Sequence, residues 1–334
     1  MEPALILEWV IKSAILLLFG LTGFAYLTLL ERRALARIQV RIGPNRAGPF
    51  GLLQPVADGV KLIFKEELIP AMADKVLFIL APIITVLPAF VIWAVIPWGR
   101  TVIIAGREIN LYLADVNVGV LYLTAVASIA VYGIVIAGWA SNNKYALMGG
   151  LRSSAQMISY EIALGLAMIG PILLAGSMSL VDIVEAQHKT GWYFIPQILG
   201  FIIFLLAGLA EINRAPFDMP EAEQELTAGY HAEYSGMKFA LFFMAEYIKM
   251  IAIAAIAATL FLGGYRLPFV EISAAWEPLV LFGKIFVLLF GMIWVRATLP
   301  RFRYDRLMAF GWKILLPLAL INIFLTAVVV VLKG

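Results

Sequence analysis

The 334-residue chain is 63% hydrophobic and only 14% charged, with a mean hydropathy of +0.94. Soluble domains carry roughly 25% charged residues, so this composition excludes a soluble globular protein and indicates a polytopic membrane protein. The sequence has no cysteine, which excludes disulfides, thiolate-ligated iron–sulfur clusters and cysteine nucleophiles. His188 and His231 are the only histidines, so we expect no metal site and no redox centre built by this chain alone.

Long apolar runs predict the membrane-spanning helices. A helix needs roughly 20 apolar residues to cross the hydrocarbon core. The sequence predicts about eight such spans, hence an all-α polytopic fold in one membrane domain, residues 1–334. They lie near 6–30, 76–98, 112–138, 159–176, 194–213, 238–262, 278–299 and 309–332. The fourth is the weakest, because Glu161 lies at its start and Gly165 and Pro171 interrupt it.

Basic residues predict the orientation. The loops at 31–75, 140–160, 211–238 and 296–313 contain 17 of the 25 Lys and Arg residues. Loops rich in Lys and Arg stay in the cytoplasm. We therefore expect these loops to be cytoplasmic and both termini to lie on the opposite side of the cell membrane. The chain begins Met1-Glu2-Pro3 without a basic segment, so we expect the first span to be retained and not cleaved as a signal peptide.

The loop at 31–75 predicts an interfacial helix. Gly43-Pro44-Asn45-Arg46 is typical of a turn, and residues 52–64 then follow a helical apolar period. The apolar positions of this period are Leu53, Val56, Val60 and Phe64. Such a helix lies in the plane of the membrane interface. Asp58 and Lys61 are three residues apart, so both can face the same polar region.

An acidic segment at 210–247 separates two apolar spans. Its carboxylates are Glu211, Asp218, Glu221, Glu223, Glu225, Glu233 and Glu246. Between Glu211 and Glu233 the only basic side chains are Arg214 and His231. Like charges held close together cannot all remain ionised at low cost, so such a segment can bind and release protons. The alternative is an acidic loop that only keeps water on one side of the membrane.

Glu161, Glu211 and Glu246 lie within or at the ends of apolar spans. Intramembrane carboxylates usually face a polar cavity and are functional. The alternative is a structural ion pair, for example between Glu246 and Lys249.

Two arginine clusters flank the spans. The first comprises Arg32, Arg33, Arg37, Arg41 and Arg46, and taken alone it indicates phosphate binding or membrane anchoring. The second comprises Arg296, Arg301, Arg303 and Arg306 with Asp305, and it could face the acidic segment. Nucleotide-binding glycine motifs and HExxH are absent from the sequence.

Four stretches together resemble one family. They read ERRALARIQVRIGPNRAGPFGLLQPVADGVKLIFKE, GWASNNKYALMGGLRSSAQMISYE, AEINRAPFDMPEAEQELTAGYHAEYSGMKFALFFMAEY and RATLPRFRYDRLMAFGWK. In this order they are similar to one membrane subunit family of the proton-pumping NADH:quinone oxidoreductase, respiratory complex I. The mitochondrial NADH dehydrogenase subunit 1 is a relative of that family. The resemblance covers nearly the whole chain.

The resemblance implies a membrane subunit that forms much of the quinone-access channel. Quinone is the substrate, and it is reduced by an iron–sulfur cluster held in a neighbouring subunit, so no catalytic redox residue is expected here. Flavin mononucleotide (FMN) and iron–sulfur clusters belong to partner subunits. The implied partners are peripheral-arm iron–sulfur and quinone-site subunits, antiporter-like membrane subunits and the lipid bilayer, with no nucleic acid.

The resemblance also assigns site residues by motif position. Those of the quinone channel are Arg32, Arg41, Asp58, Gly59, Lys61, Glu211 and Arg214. Those of the proton-coupling line are Glu161, Glu211, Glu221, Glu223, Glu225, Glu233 and Glu246. This chain departs from some relatives at Ser128, where they carry a glutamate, and at His231, where several carry asparagine.

Two other functions remain open from the sequence. A homologous membrane subunit serves energy-converting hydrogenases, in which no quinone binds. A stand-alone ion/proton antiporter would also contain buried glutamates and helix breaks.

Overall fold

Helices dominate the structure, as the composition predicts. The computed structural model describes residues 3–104, 107–219 and 229–333. Its α-helices are α1 (Pro3–Ile38), α2 (Gln54–Ile63), α3 (Lys75–Val91), α4 (Gly119–Ala140), α5 (Lys144–Ala175), α6 (Leu180–Thr190), α7 (Ile198–Glu211), α8 (Gly236–Phe261), α9 (Glu277–Thr298), α10 (Tyr304–Phe310) and α11 (Leu316–Lys333). A short antiparallel hairpin joins β1 (Thr101–Ile104) to β2 (Arg107–Asn110). The predicted all-α polytopic fold is confirmed.

The described residues contain seven helical segments long and apolar enough to cross a membrane. Six of them are α1, α3, α4, α5, α8 and α9, and the seventh joins α10 to α11 through a π-helical turn at Gly311–Leu315. The predicted span near 194–213 corresponds to α7, which has only 14 residues. At 1.5 Å per residue it extends about 21 Å, less than the ~30 Å hydrocarbon core.

The prediction of a loop at 140–160 is wrong over most of its length. Only residues 141–143 separate α4 from α5, and α5 runs without interruption through Pro171 to Ala175. Asn143 caps its start by accepting a hydrogen bond from Tyr145 N at 2.9 Å. Three of the polar residues in this stretch, Ser153, Ser154 and Gln156, face the protein interior. Gln156 donates hydrogen bonds to Ala210 O at 2.8 Å and Phe217 O at 2.7 Å.

The predicted loop at 296–313 is also largely helical. α9 continues to Thr298 and α10 begins at Tyr304, so only residues 299–303 connect them. Likewise α1 continues through Ile38 into the predicted loop at 31–75. Helices of this length project beyond the bilayer core and carry charged residues on their ends.

The core surrounds α8. Of the 18 most apolar consecutive residues of α8, 67% are buried, whereas only 17% are buried in the corresponding stretch of α1. α3, α4 and α5 pack side by side through glycines, and Gly150 on α5 faces Gly138 on α4. The most enclosed helix therefore carries Glu246 and Lys249 into the centre of the protein.

The helix predicted at 52–64 is present as α2, which is three residues shorter, and its interfacial location stays a prediction. None of its residues is buried, and its apolar stripe is open to the surroundings at Val56, Val60 and Phe64. An exposed apolar stripe of this kind fits the plane of a membrane interface.

We predict that Gly133→Ala separates α3 from α4. A Cβ at Gly133 would lie 2.1 Å from Thr85 Oγ1 and 2.8 Å from Thr85 N, so the helices cannot keep their spacing. Overpacking of this kind costs about 1–3 kcal/mol. We expect a lower midpoint of thermal unfolding for the detergent-solubilised protein.

Gly165→Ala on α5 is the matched control, because nothing lies within 4 Å of a Cβ there. Alanine has the higher helix propensity, so this variant should be neutral or slightly more stable. Equal thermal midpoints for the two variants would contradict the close α3–α4 packing.

Candidate functional site: a buried line of charges

Two charges on α8 define the centre of the site. Glu246 and Lys249 are three residues apart, so they share a face of the helix. Glu246 forms an ion pair with the turn that follows α7, and Lys249 forms one with the last residue of α7. Glu246 Oε1 lies 2.5 Å from Arg214 Nε, and Lys249 Nζ lies 3.7 Å from Glu211 Oε1. The Glu246–Lys249 pair suggested by the sequence is therefore not needed to balance either charge.

Arg214 is the most connected residue of the site. Its side chain is 4% exposed, and its Nη1 donates to Glu31 Oε1 at 3.0 Å. Its guanidinium also lies 4.2 Å from the ring centroid of Tyr247. Burial disfavours its charge, but the carboxylates of Glu246 and Glu31 outweigh this effect and raise the pKa of Arg214. Arg214 is therefore a fixed positive charge.

Glu31 joins α1 to this cluster. Its side chain is buried and accepts hydrogen bonds from Arg214 and from Arg296 near the end of α9. Two guanidiniums around one carboxylate satisfy a charge that would otherwise be costly to bury. Three helices, α1, α8 and α9, thus meet at one group of ion pairs.

Glu161 lies on the other side of the Glu211–Lys249 pair. Ser128 Oγ on α4 donates a hydrogen bond to Glu161 Oε1 on α5. Ser128 Oγ also lies 3.0 Å from the carbonyl oxygen of Thr124. A hydroxyl has one proton to donate, so Ser128 can serve one of these two acceptors at a time.

Two small cavities meet at Glu211 and Lys249. The first, of about 30 Å³, also borders Glu161 and Thr124. The second, also of about 30 Å³, borders Glu246, His231 and Asn213. Both exceed the roughly 10–15 Å³ that one water molecule needs. The second has several polar groups in its wall, whereas the wall of the first is mainly apolar. Glu161, Glu211, Lys249 and Glu246 thus follow one another, and we call this set the line of charges.

Glu211 is the carboxylate of the line that has the fewest hydrogen-bond partners. It is 3% exposed, and neither carboxylate oxygen accepts a hydrogen bond within normal distance from the described residues. Lys249 at 3.7 Å neutralises its charge but lies beyond the usual 2.7–3.2 Å range of a hydrogen bond. A buried carboxylate with free acceptor sites beside two water-sized cavities can exchange protons with its surroundings.

The predicted channel residues of the first loop come together in part. Arg32 Nη1 lies 2.6 Å from Asp58 Oδ2, and Lys61 Nζ lies 3.8 Å from Asp58 Oδ1. These ion pairs hold α2 against the end of α1. Gly59 lies on α2 with nothing within 4 Å of where a Cβ would be. Arg41 donates to Gln39 Oε1 at 2.7 Å and borders a separate pocket.

The acidic segment is described only in part. Glu233 accepts a hydrogen bond from Asn143 Nδ2 at 2.6 Å, at the junction of α4 and α5. Burial raises the pKa of the neighbouring Tyr234. Glu221, Glu223 and Glu225 lie outside the described residues.

The second arginine cluster meets the acidic segment at its start. Arg301 Nη2 lies 3.8 Å from Met219 Sδ, and Phe302 N donates to Pro216 O at 3.0 Å. Arg303, by contrast, pairs with Asp305 at 3.2 Å. The connection between α9 and α10 therefore packs against the segment that carries Arg214.

Sequence reasoning missed Glu31, Arg296 and Lys249 as site residues. Glu31 is the first residue of the predicted loop at 31–75 and is followed directly by two arginines. Leu27, four residues earlier on α1, is buried on the same side. That helical spacing is the signal that could have placed Glu31 in the core.

The protein combines helices long enough to cross a membrane with a buried line of carboxylates and cations. These two features define a class of integral membrane protein suited to moving protons or responding to charge. The sequence matches the NADH dehydrogenase family over residues 11–327. This chain belongs to the NADH dehydrogenase family.

Named relatives match over almost their full length, and each is named as a subunit of an NADH-quinone oxidoreductase. The relative from Geobacter sulfurreducens is 52% identical over 98% of this chain and 96% of its own length. The relative from Rhodospirillum rubrum is 54% identical over 97% of this chain and 94% of its own length. NADH-quinone oxidoreductase subunit 8 of Thermus thermophilus is 52% identical over 97% of this chain and 88% of its own length.

We predict that Arg214→Gln destabilises the protein strongly. The substitution leaves Glu246 without the guanidinium that lies 2.5 Å away and removes one of the two arginines on Glu31. Breaking a buried ion pair from one side costs about 3–5 kcal/mol. The measurement is the midpoint of thermal unfolding of the purified protein.

Arg303→Gln is the control, because Arg303 is 78% exposed and pairs with Asp305 at the surface. Its loss should cost at most about 1 kcal/mol. The double variant Arg214→Gln/Glu246→Gln removes the stranded carboxylate and should recover part of the loss. Equal stability of Arg214→Gln and Arg303→Gln would refute the buried pairing.

Proposed function

We propose that this chain is the membrane subunit of a proton-translocating NADH:quinone oxidoreductase, respiratory complex I. In this role it borders the quinone-access channel and couples quinone reduction to proton translocation through its line of carboxylates. Relatives that are about half identical over nearly their full length are named as NADH-quinone oxidoreductase subunits, which favours this machine over a hydrogenase or an antiporter.

The observation that carries the coupling role is the position of the Glu211–Lys249 pair between two cavities. One cavity reaches Glu161 and the other reaches Glu246. A proton can pass between carboxylates through one or two water molecules in such spaces. The line therefore offers a path from the cluster around Arg214 towards the middle of α5.

Arginine and lysine have different roles in this line. A guanidinium keeps its proton in proteins, so Arg214 is a permanent counter-charge for Glu246 and Glu31. A buried ammonium releases its proton far more readily. Lys249 can therefore transfer a proton to Glu211, which leaves both groups neutral, and recover it when the charge nearby changes. We assign Lys249 and Glu211 as the exchangeable pair.

Quinone reduction supplies the change of charge. Reduction creates negative charge or withdraws protons at the top of the channel, whose proposed residues include Glu211 and Arg214. A unit charge 4 Å away is worth about 4 kcal/mol at an effective dielectric constant near 20. That energy changes the proton affinity of a carboxylate roughly a thousandfold. The carboxylate line thus responds to the redox state without a redox group in this chain.

The outer part of the proposed channel lies along α2. Arg32, Asp58 and Lys61 form its ion pairs, and the exposed apolar stripe of α2 lies beside them. An apolar quinone reaches such a site from the membrane interface, and polar groups then meet its headgroup. Arg41 and Gly59 complete the proposed set of channel residues in this loop.

Ser128 allows Glu161 to change protonation state. When Glu161 is ionised, the Ser128 hydroxyl donates to it. When Glu161 is protonated, the carboxylic acid can donate to Ser128 Oγ while the hydroxyl turns to Thr124 O, 3.0 Å away. Both states keep their hydrogen bonds. We propose that this serine serves the relay at the position where some relatives carry a glutamate.

The remaining assignments follow the family. Flavin mononucleotide and the iron–sulfur clusters belong to partner subunits, and the described residues hold no group of three His, Cys, Asp or Glu that could bind a metal ion. We propose one domain over residues 1–334 in the cell inner membrane, with the basic loops in the cytoplasm and both termini opposite. Peripheral-arm iron–sulfur and quinone-site subunits cover the loops, and antiporter-like subunits continue the line.

We predict that Glu246→Gln and Glu225→Gln impair coupling in the assembled complex. Glu246→Gln removes the counter-charge of Arg214 and so changes the charge beside the Glu211–Lys249 pair, and Glu225→Gln removes a carboxylate that can accept a proton. NADH:quinone reductase activity and proton pumping should therefore fall at least about tenfold, equivalent to ~1.4 kcal/mol. NADH oxidation with an artificial hydrophilic acceptor should stay unchanged, because it bypasses the quinone site.

Glu108→Gln provides the control, since Glu108 is a carboxylate of the β1–β2 hairpin, away from the site. It should retain both activities. Unchanged quinone reduction and pumping in Glu246→Gln and Glu225→Gln would count against the proposed function.

We also predict that Ser128→Ala lowers proton pumping a few-fold. The alanine removes the hydroxyl that donates a hydrogen bond to Glu161. Ser128→Thr keeps a hydroxyl and should behave like the parent. Equal pumping rates for the alanine and threonine variants would exclude this role for Ser128.

A further inference from the structure

A groove along the first half of α1 lies outside both the line of charges and the proposed quinone channel. Its volume is about 610 Å³, within the roughly 300–1,000 Å³ that is usual for small-ligand sites. It lies between α1, the segment that follows β2 and the first turn of α9. Its wall is mainly apolar and includes Leu7, Ile11, Ile15, Phe19, Trp98 and Leu111. We call this space the α1 groove.

The wall opposite α1 is held in place by the chain itself. Trp98 N donates to Leu111 O at 3.1 Å, and Leu111 N donates to Arg100 O at 3.1 Å. Arg100 Nε in turn lies 2.6 Å from Oε1 of Glu277, a fully buried carboxylate in the first turn of α9. Phe19 of α1 packs edge-on against Trp98, with ring centroids 4.5 Å apart. The α1 groove therefore does not need a ligand to form.

One ion pair borders the α1 groove. Glu8 and Lys12 are one helical turn apart, and the Lys12 ammonium donates to Glu8 Oε1. Lys12 Nζ also lies 3.4 Å from Tyr112 O across the groove. The side chains of Lys12 and Glu8 are 17% and 30% exposed, so both can be reached from the groove. An ammonium has three donors and a carboxylate has two acceptor oxygens, so this pair can also bond a ligand of matching charges.

The ion pair lies at the edge of the hydrocarbon core. The apolar run of α1 ends at Leu30, and at 1.5 Å per residue Lys12 is about 27 Å and Glu8 about 33 Å from it along the helix. The hydrocarbon core is roughly 30 Å thick. The pair therefore straddles the core boundary at the N-terminal end of α1, whereas Ile15 and Phe19 lie within the hydrocarbon. This placement is the same for either orientation of the chain.

We propose that the α1 groove binds a zwitterionic phospholipid with a primary amine, of the phosphatidylethanolamine class. The lipid phosphate accepts a charge-assisted hydrogen bond from Lys12, the lipid ammonium donates one to Glu8, and an acyl chain lies along Ile11, Ile15 and Phe19. An anionic headgroup would leave Glu8 facing negative charge. A choline headgroup has no N–H to donate, so it cannot form the bond to Glu8.

A helix of a partner protein fits the α1 groove less well. A helix about 10 Å across that ran beside residues 7–19, over about 18 Å, would occupy about 1,400 Å³, more than twice the volume of the groove. An acyl chain is much thinner. Since only 17% of the most apolar stretch of α1 is buried, a lipid held in the groove would also add contacts between α1 and the rest of the chain.

The test uses the full chain, purified in mild detergent from its native membrane with the partners that accompany it. After delipidation, binding of phosphatidylethanolamine, phosphatidylcholine and phosphatidylglycerol is titrated separately. Lys12→Met should weaken phosphatidylethanolamine binding roughly tenfold, because one charge-assisted hydrogen bond is lost. Lys189→Met is the matched control, since Lys189 is an exposed lysine on α6, and it should bind like the parent. Glu8→Gln should remove the preference for phosphatidylethanolamine over phosphatidylglycerol.

Equal phosphatidylethanolamine binding by the parent and Lys12→Met would overturn the proposal, and an unchanged lipid preference in Glu8→Gln would overturn the headgroup assignment. A second measurement does not depend on these variants. The chain has no cysteine, so Ile15→Cys places a single photo-crosslinker in the groove. A crosslink to phospholipid supports the proposal, whereas a crosslink to another protein would show that a partner fills the groove and would overturn it. Because both readouts measure lipid contact, they are independent of quinone reduction.

Discussion

The need to neutralise one buried guanidinium organises the centre of this protein. Arg214 cannot lose its proton, so its burial requires carboxylates within contact distance. Glu31 comes from α1 and Glu246 from α8, and Arg296 brings in α9 by sharing Glu31. These helices differ in burial, because α8 is the most buried span and α1 is the least buried. The ion pairs therefore fix the position of α1, which has little apolar surface buried against the rest of the chain.

Buried ion pairs are weak evidence for stability, because well-packed apolar residues of similar size often stabilise a protein as well or better. Their presence here therefore supports the proposed coupling role more than it explains stability. The pair at Glu211 and Lys249 is separated by 3.7 Å and borders both cavities, whereas Arg214 lies within 2.5–3.0 Å of two carboxylates. In the proposed function, the first arrangement exchanges protons and the second holds a fixed charge beside it.

The sequence predicted the helices and the carboxylates but not their partners. Glu161, Glu211 and Glu246 were identifiable because a charge within an apolar run is unusual. The start of α5 was not, because hydropathy counts Gln156 as polar whether it faces water or, as here, hydrogen-bonds Ala210 O and Phe217 O inside the protein. Pairing of Glu31 with Arg214 joins positions 183 residues apart, and no local pattern encodes such a contact. The Arg32–Asp58 pair was accessible only through the resemblance, which placed both residues in one channel.

Three consecutive residues of α1 connect the separate parts of the structure. Successive side chains on a helix are about 100° apart, so Glu31, Arg32 and Arg33 point in three different directions. Glu31 enters the buried cluster, Arg32 pairs with Asp58 on α2, and Arg33 borders the separate pocket that Arg41 also lines. A rotation of α1 by one residue would remove all three contacts at once. The register of this one turn therefore links the proposed quinone channel along α2 to the line of charges.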